Sequence, residues 1–422
     1  MRVLPHSAVL SRRAMLRAIG LTAGAIAAAP VLASLLPNRP LKLGVLLPRS
    51  QAYPTLSENL LAGMRLHFDQ IREQGGRAIE LVAESTGLGA GGTIAKSQQL
   101  VGWQRVDLLV AIVGAYAAKL LGKLSREKQT PLIVANAGAR VPSHDNPNPY
   151  VFHNSLNLWQ ASRALGAWAA THLGRRAFVA KSFYDSGHDI AYAFQAGFEQ
   201  AGGRVLETSL THHPHQSDDL TATFDAIRQN QPDFVFGCYC GQWATDFVQA
   251  YTASGLSRSV PLIGSGFIAD ESLLPAQGRA ALGIKTALAW SSDLDSDDNR
   301  AFSEAYQRLT GRPADAFAVL GFDTGQLITA SLPAVDGNTD RTEAWLNALS
   351  TAEVASPRGQ LAMNAQTHSS VGPVYVREVQ RRDGKLVNAA LGPLSLLSPL
   401  DEPIVAVRSK QQSGWSNPYL CV

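Results

Sequence analysis

An α/β protein of two similar lobes, each a parallel sheet flanked by helices, is the fold class this sequence predicts. Three observations carry it. Short apolar runs alternate with amphipathic stretches and no hairpin signal separates them, which is the pattern of a parallel sheet. The alternation starts again near Arg176, giving two successive units of about 110 residues each. The chain, at 422 residues, is also longer than one ordinary domain.

The amino end stands apart. Ser11-Arg12-Arg13-Ala14-Met15-Leu16-Arg17 precedes the only long apolar run, Ala18 to Leu36. Paired arginines ahead of a mild Ala/Gly-rich stretch read as a twin-arginine export signal over residues 1–33, cleaved near Ala33. A retained anchor is the alternative, since the run is about the 20 residues a span needs. Gly20, Gly24, Pro30 and many alanines make it weakly apolar, and no cysteine near the cleavage point invites a lipid.

The mature part opens with Leu41–Pro48, an apolar run ended by proline and read as a buried strand. A helix is expected over Thr55–Gln74, with Leu60, Leu61, Met64 and Phe68 on one face and Gly75-Gly76 as its stop. A strand over Ala78–Glu84 and a helix over Thr93–Gln104 follow. Next come a strand at Leu108–Gly114, a helix through Ala117–Glu127 and a strand at Pro131–Ala135. Asn146–Asn157 reads as a crossover. The second unit places strands at Arg176–Ala180, Arg204–Leu210, Phe234–Phe236 and Pro261–Gly264, with helices at Ala191–Ala201, Leu220–Asn230 and Trp243–Ser254 between them. Beyond residue 285 an acidic loop (Asp293–Asp298), helices at Ala301–Leu309 and Phe317–Leu332, and late strands near Gly359–Met363 and Pro373–Val379 complete the core. The Pro- and Ser-punctuated end, 396–422, reads as a surface strap or loose tail.

Composition narrows the function. The chain is 45% hydrophobic and 17% charged with a net charge of +3, part of which belongs to the signal. No Lys/Arg stripe interleaved with aromatics appears, so nucleic acid is not an expected partner. Of the three cysteines, Cys238 and Cys240 flank Tyr239 too closely to bridge each other and read as buried apolar residues rather than nucleophiles. Gly87-Leu88-Gly89-Ala90-Gly91-Gly92 spells GxGxxG, but it follows the second strand, and Asp107 precedes its strand instead of ending it. A βα loop is the simpler account. His212, His213, His215, Asp218 and Asp219 fall on one short loop without partner ligands at metal spacing, so no metal and no cofactor is expected. Asp218 or Asp219 is more simply a helix N-cap. Ser265 lies between glycines at a strand end but lacks the Gly-x-Ser-x-Gly spacing of a hydrolase elbow. An enzyme is not expected.

An ordered series of short stretches carries a resemblance. Leu43-Gly44-Val45-Leu46-Leu47-Pro48, Val113-Gly114, Asn148-Pro149-Tyr150-Val151-Phe152, Ala201-Gly202-Gly203-Arg204-Val205 and Gln231-Pro232-Asp233-Phe234-Val235-Phe236 lead it. Pro261-Leu262-Ile263-Gly264, Asn299-Arg300-Ala301-Phe302, Gly311–Ala318, Gly321-Phe322-Asp323 and Val374–Val379 close it. Across residues 41 to about 380 the chain resembles the solute-binding proteins of branched-chain amino-acid-type ABC transporters, of the periplasmic-binding-protein type I fold. The resemblance implies two discontinuous lobes joined by three hinge strands. Lobe one would hold 41–153 plus 290–355, and lobe two 154–289 plus 356–395. It also implies a ligand cleft at the carboxyl ends of the strands that closes by hinge motion. A periplasmic location, an ABC permease as partner and a monomer are implied as well, with a ligand sensor feeding a signalling partner as the alternative role.

The same resemblance marks the cleft positions. Relatives that carry amino acids hold the ligand carboxylate with hydroxyls and backbone N–H groups after the third and fourth strands of lobe one. They hold the ammonium with a carboxylate and tyrosines of lobe two. At these positions the chain offers Tyr53 after the first strand, Tyr116 and Ala118 after the third, and Asn136, Ala137 and Gly138 after the fourth. Lobe two offers Asp185 and Ser186, then Tyr239, and Ser265 and Gly266 where a glutamate is usual. Two aromatic walls remain while most of the paired charge readers are missing. An unpaired buried charge on a ligand costs several kcal/mol. An aromatic or other larger organic acid or amide is therefore expected in place of leucine or valine, with Asp185 as the residue that keeps an amino acid possible.

Overall fold

The computed structural model describes residues 39–50, 53–87, 90–136, 148–182, 185–211, 219–335 and 338–394, with the backbone alone placed at 90, 115, 116, 136, 185–189 and 219. β1 (Leu41–Pro48), β2 (Ile79–Gly87), β3 (Leu108–Ala111), β4 (Leu132–Asn136) and β5 (Val151–Ser155) run parallel in the order 5-4-3-1-2. β6 (Arg176–Ser182), β7 (Arg204–Thr211), β8 (Phe234–Cys238), β9 (Leu262–Ser265) and β10 (Lys285–Leu288) repeat that order as 10-9-8-6-7. The two lobes are thus one topology used twice. Each sheet is then extended past its fifth strand. β11 (Glu353–Ser356), β12 (Gly359–Asn364) and β13 (Ser369–Val371) join the first beside β5. β14 (Val374–Arg382) and β15 (Lys385–Leu394) join the second, antiparallel, beside β10.

The helices are α1 (Leu56–Glu73), α2 (Ala90–Gly102), α3 (Ala115–Lys128), α4 (Leu158–His172), α5 (Asp185–Gln200), α6 (Asp219–Asn230), α7 (Gly241–Ala253), α8 (Leu274–Gln277), α9 (Asp297–Thr310), α10 (Ala316–Ser331) and α11 (Thr342–Ser350). Strands covered on both faces need apolar residues at consecutive positions, and β1 shows why. Leu41, Leu43 and Val45 pack in one cluster with Leu56, Leu60 and Met64 of α1, while Leu46 packs on the other face with Leu100, Leu109 and Leu121. In each lobe two helices cross at backbone contact distance through glycine. A Cβ on Gly321 would lie 2.0 Å from the Leu60 carbonyl oxygen, and one on Gly197 would lie 1.9 Å from that of Arg163.

Two expected boundaries move. The sequence assigned 356–395 to lobe two, yet β12 and β13 are paired into the first sheet, so the last crossing falls at Gly372-Pro373. Similarly, Asn154 and Ser155 belong to β5 and the first crossing falls at 156–157. The run Val151–Ser155, read as crossover, is a buried strand because β4 and β13 pair on both of its edges. The intervening crossing is at 289–296, between β10 and α9. The helix α4 went unread because it has no capping signal: its N-cap, Asn157, is left-handed (φ 54°) and its side chain makes no cap bond. The expected tail, 396–422, and the expected signal lie outside the described residues.

Candidate functional site

In both sheets the strand order reverses beside the first strand of the unit, between β1 and β3 and between β6 and β8. Loops leaving the carboxyl ends there diverge to opposite faces and open a crevice. Tyr53 follows β1, and Tyr239, Cys240 and Gly241 follow β8. The two crevices meet. The Gly241 N–H of lobe two donates to Tyr53 Oη of lobe one at 3.3 Å. Tyr53 has its ring centroid 5.4 Å from Phe267, which follows β9, and 5.4 Å from Phe317 at the start of α10. Phe267 and Phe317 stack across the same boundary at 5.4 Å with 7° between planes. Rings at such separations favour offset and edge arrangements.

Acidic groups surround this aromatic cluster. Asp315 caps α10, accepting from Ala318 N–H at 2.8 Å and from Asn59 Nδ2 at 2.6 Å. Burial, with the nearby Asp270 carboxylate, pushes Asp315 up to about 6. Burial and Asp270 also hold the Tyr53 phenol well above its ordinary range, so it stays neutral. Asp270 itself is buried in the turn after β9. Its Oδ2 accepts from Ser272 N–H at 3.2 Å and Oγ at 2.7 Å, while Oδ1 has no hydrogen-bond partner.

Of the expected site residues, Tyr53 lies at the lobe boundary, and Ser265 and Gly266 lie at the carboxyl end of β9. Ser265 is buried and bonded to the Cys238 thiol, which burial pushes up to about 12. Neither group is placed as a nucleophile. A Cβ on Gly266 would lie 2.6 Å from Leu288 Cδ1 and 2.8 Å from the Ala287 carbonyl oxygen, so only glycine lets the loop approach β10. Tyr239 turns inward: its ring stacks on Phe247 at 4.2 Å in the lobe-two core, and its Oη accepts from Thr211 at 3.4 Å. Ala118 is buried in α3. Tyr116, Asn136, Asp185 and Ser186 have placed backbone in α3, β4 and α5, and Ala137 and Gly138 lie outside the described residues. Cys238 is a free buried thiol as expected, whereas Cys240, expected to be one too, is disulfide-bonded. Asp107 accepts from Lys42 N–H at 2.8 Å and from Thr339 Oγ1 at 2.9 Å, a structural role. The loop of His212, His213, His215 and Asp218 lies outside the described residues.

Sequence reasoning missed the two arginines that hold the crossings. Arg358, fully buried in the turn between β11 and β12, donates to Asp323 Oδ2 at 2.6 Å, to the Ser155 carbonyl at 2.9 Å and to Asn154 Oδ1 at 3.2 Å. Arg377, fully buried in β14, donates to the Trp290 carbonyl at 3.0 Å, the Gly266 carbonyl at 2.8 Å, Thr286 Oγ1 at 3.2 Å and Glu271 at 3.2 Å. The first ties the 156–157 crossing to lobe one, and the second ties the 289–296 crossing to the Phe267 loop. Their only local sign was a charge after the apolar run Val374–Val376 or beside the turn proline Pro357. Lys181, whose pKa burial lowers, also stands unread at the carboxyl end of β6.

Two lobes of repeated topology, linked by three crossings and meeting at their strand ends, define a hinged binding protein whose ligand lies between lobes. The chain belongs to the periplasmic binding protein family, which it matches over residues 40–385. It is similar to Leu/Ile/Val-binding protein homolog 6 of Brucella melitensis, 28% identical over 348 residues that make up 81% of this chain and 88% of that protein. It is also similar to an ABC-transporter solute-binding protein of R. palustris in complex with benzoate (TM-score 0.72, 30% identity, covering 85% of this chain and 98% of that one). A second R. palustris solute-binding protein, in complex with 4-hydroxybenzoate, has a TM-score of 0.76 and 25% identity over 86% of this chain and 99% of that one. The family and these neighbours are solute-binding proteins, and family membership implies the periplasm. Among the described residues no helix is long and apolar enough to cross a membrane.

Proposed function

We propose that the protein is exported by the twin-arginine signal at residues 1–33, captures an aromatic carboxylic acid between its lobes and presents it to an ABC permease. The observation that carries the ligand class is the Tyr53–Phe267–Phe317 cluster, in which rings from both lobes meet at the strand ends. Burying an aromatic ring among others is favourable through its apolar area and through edge and offset contacts. The substitution of the amino-acid readers points the same way. Ser265-Gly266 occupies the position of the usual glutamate, and the Gly266 carbonyl accepts from Arg377, leaving that loop no carboxylate at residues 265–267. The benzoate and 4-hydroxybenzoate complexes of the two R. palustris neighbours support the same class.

The test is calorimetric titration of protein recovered from the periplasm with benzoate, hydroxybenzoates, leucine and valine. Benzoates are expected to bind and to raise the melting temperature, with a stabilisation of about 2.7 kcal/mol at a hundred times Kd. Binding of leucine or valine alone would overturn the ligand class. Recovery from the cytoplasm alone, with the arginine pair intact, would overturn the export route.

A further inference from the structure

We propose that Asp270 selects the ligand, accepting a hydrogen bond from a hydroxyl on the aromatic ring through its unpartnered Oδ1, and so favours hydroxybenzoates over benzoate. This deepens the aromatic-acid reading and rests on it. Asp270 is 1% exposed. Ser272 satisfies Oδ2 twice, and Oδ1 meets no donor. A buried carboxylate oxygen without a donor is costly, and a donor brought by a ligand removes that cost.

The surroundings restrict what that donor can be. Asp270 lies close enough to Tyr53 and Asp315, both of lobe one, to act on each electrostatically, which puts it near the lobe boundary. Phe267, three residues before it, forms one wall of the aromatic cluster. Glu271 on the same turn is engaged by Arg377. That arginine also serves Thr286, Trp290 and Gly266 and is committed there. A ligand carboxylate pointing at Asp270 would meet two acids, so it must lie at the far end of the ring. An ammonium would need several acceptors, yet Asp315 is already filled by Asn59 and Ala318. One vacant acceptor oxygen matches one hydroxyl.

A hydrogen bond to a charged group corresponds to about ten- to hundredfold in affinity. Titration of the full mature protein with benzoate, 3-hydroxybenzoate and 4-hydroxybenzoate is therefore expected to show one hydroxybenzoate bound at least tenfold more tightly than benzoate. Asp270→Ala is expected to bring that ratio near one, and Asp270→Asn to reduce it. Because Asp270 also caps its turn, Ser272→Ala serves as the control: it removes the hydroxyl contact of the cap, leaves the backbone one, and is expected to keep the ratio. Equal affinities in the wild type would overturn the role of Asp270 while leaving the aromatic-acid reading in place. A ratio lost in Ser272→Ala as much as in Asp270→Ala would do the same, since the turn and not the oxygen would then matter. Binding of phenylalanine or 4-aminobenzoate in preference to every hydroxybenzoate would show an ammonium or amine at this site and sink the proposal. Failure of all aromatic acids to bind would remove both readings together.

Discussion

Replacing Arg358 by methionine tests whether the crossings are held as the structure shows. Methionine keeps much of the apolar stem and supplies no donor. Three acceptors, Asp323 Oδ2, the Ser155 carbonyl and Asn154 Oδ1, lose a charged partner. At about 1.5–3 kcal/mol for each bond to a charged group, the gross loss exceeds 4 kcal/mol. Asp323 limits it. Burial already pushes that carboxyl up despite the arginine, and without Arg358 it takes a proton, keeping Ser356 Oγ within 2.5 Å of Oδ1. Breaking one side of a buried pair costs about 3–5 kcal/mol, and that range is expected in urea unfolding at pH 8. A carboxyl whose folded pKa is raised stabilises most when protonated, and that stability is lost as pH rises. The cost of Arg358→Met should therefore be smaller at pH 5 than at pH 8. The double variant Arg358→Met/Asp323→Asn removes the stranded charge and is expected to recover about 1–3 kcal/mol of the single variant's loss. A single-variant cost below about 1 kcal/mol, or a double variant no more stable than the single, would refute the reasoning.

Other outcomes follow from the same contacts. Gly321→Ala drives a Cβ against the Leu60 carbonyl oxygen and is expected to cost about 1–3 kcal/mol by thermal or urea melting. Gly91→Ala, with open space around it in α2, should be neutral or stabilising, and equal effects at the two sites would contradict the close helix crossing. Burial lowers His67 to about 4, so its neutral form is what the fold holds, and stability should rise with pH between about 4 and 6.5. Asp315, raised to about 6, contributes the opposite slope between about 4 and 6, because its protonated form is favoured in the fold. His67→Gln should therefore remove a rising limb from the stability–pH profile and Asp315→Asn a falling one; unchanged slopes in either variant would count against that assignment.

The parallel core was readable because its determinants are local. A strand covered on both faces is an apolar run, as at Leu108–Ala111, and the helix expected over Ala301–Leu309 runs from Asp297 to Thr310, its first turn lying in what read as an acidic loop. The elements that escaped lack such signs or depend on distant partners. Leu158–His172 begins without a side-chain cap. Ser369–Val371 is a three-residue strand set between its neighbour β12 and β5, more than 200 residues earlier, and only the pairing with β5 places it in the first sheet. For the same reason the lobe boundary was placed near 355: nothing in the sequence between 353 and 371 tells which sheet it will join, and Gly372-Pro373 is only one of several proline breaks.

The site divides along the same line. The sequence offers candidate ligand readers residue by residue, because the resemblance expects each at a fixed offset from a strand end. The cluster around Tyr53 has no such offset. Phe317 and Asp315 read as the start of a helix, and Phe267 and Asp270 as a loop. They become one environment only in the folded chain, where they lie around Tyr53, from which Phe317 is separated by most of the chain. A binding cleft between lobes is by construction made of residues with no sequence proximity, so its chemistry is encoded in pairs that no local pattern contains. Such a cleft can change ligand while the fold stays constant. The sheets, crossings and buried arginines fix how the lobes are joined, whereas the proposed ligand contacts rest on a few loop residues, Phe267 and Asp270 foremost.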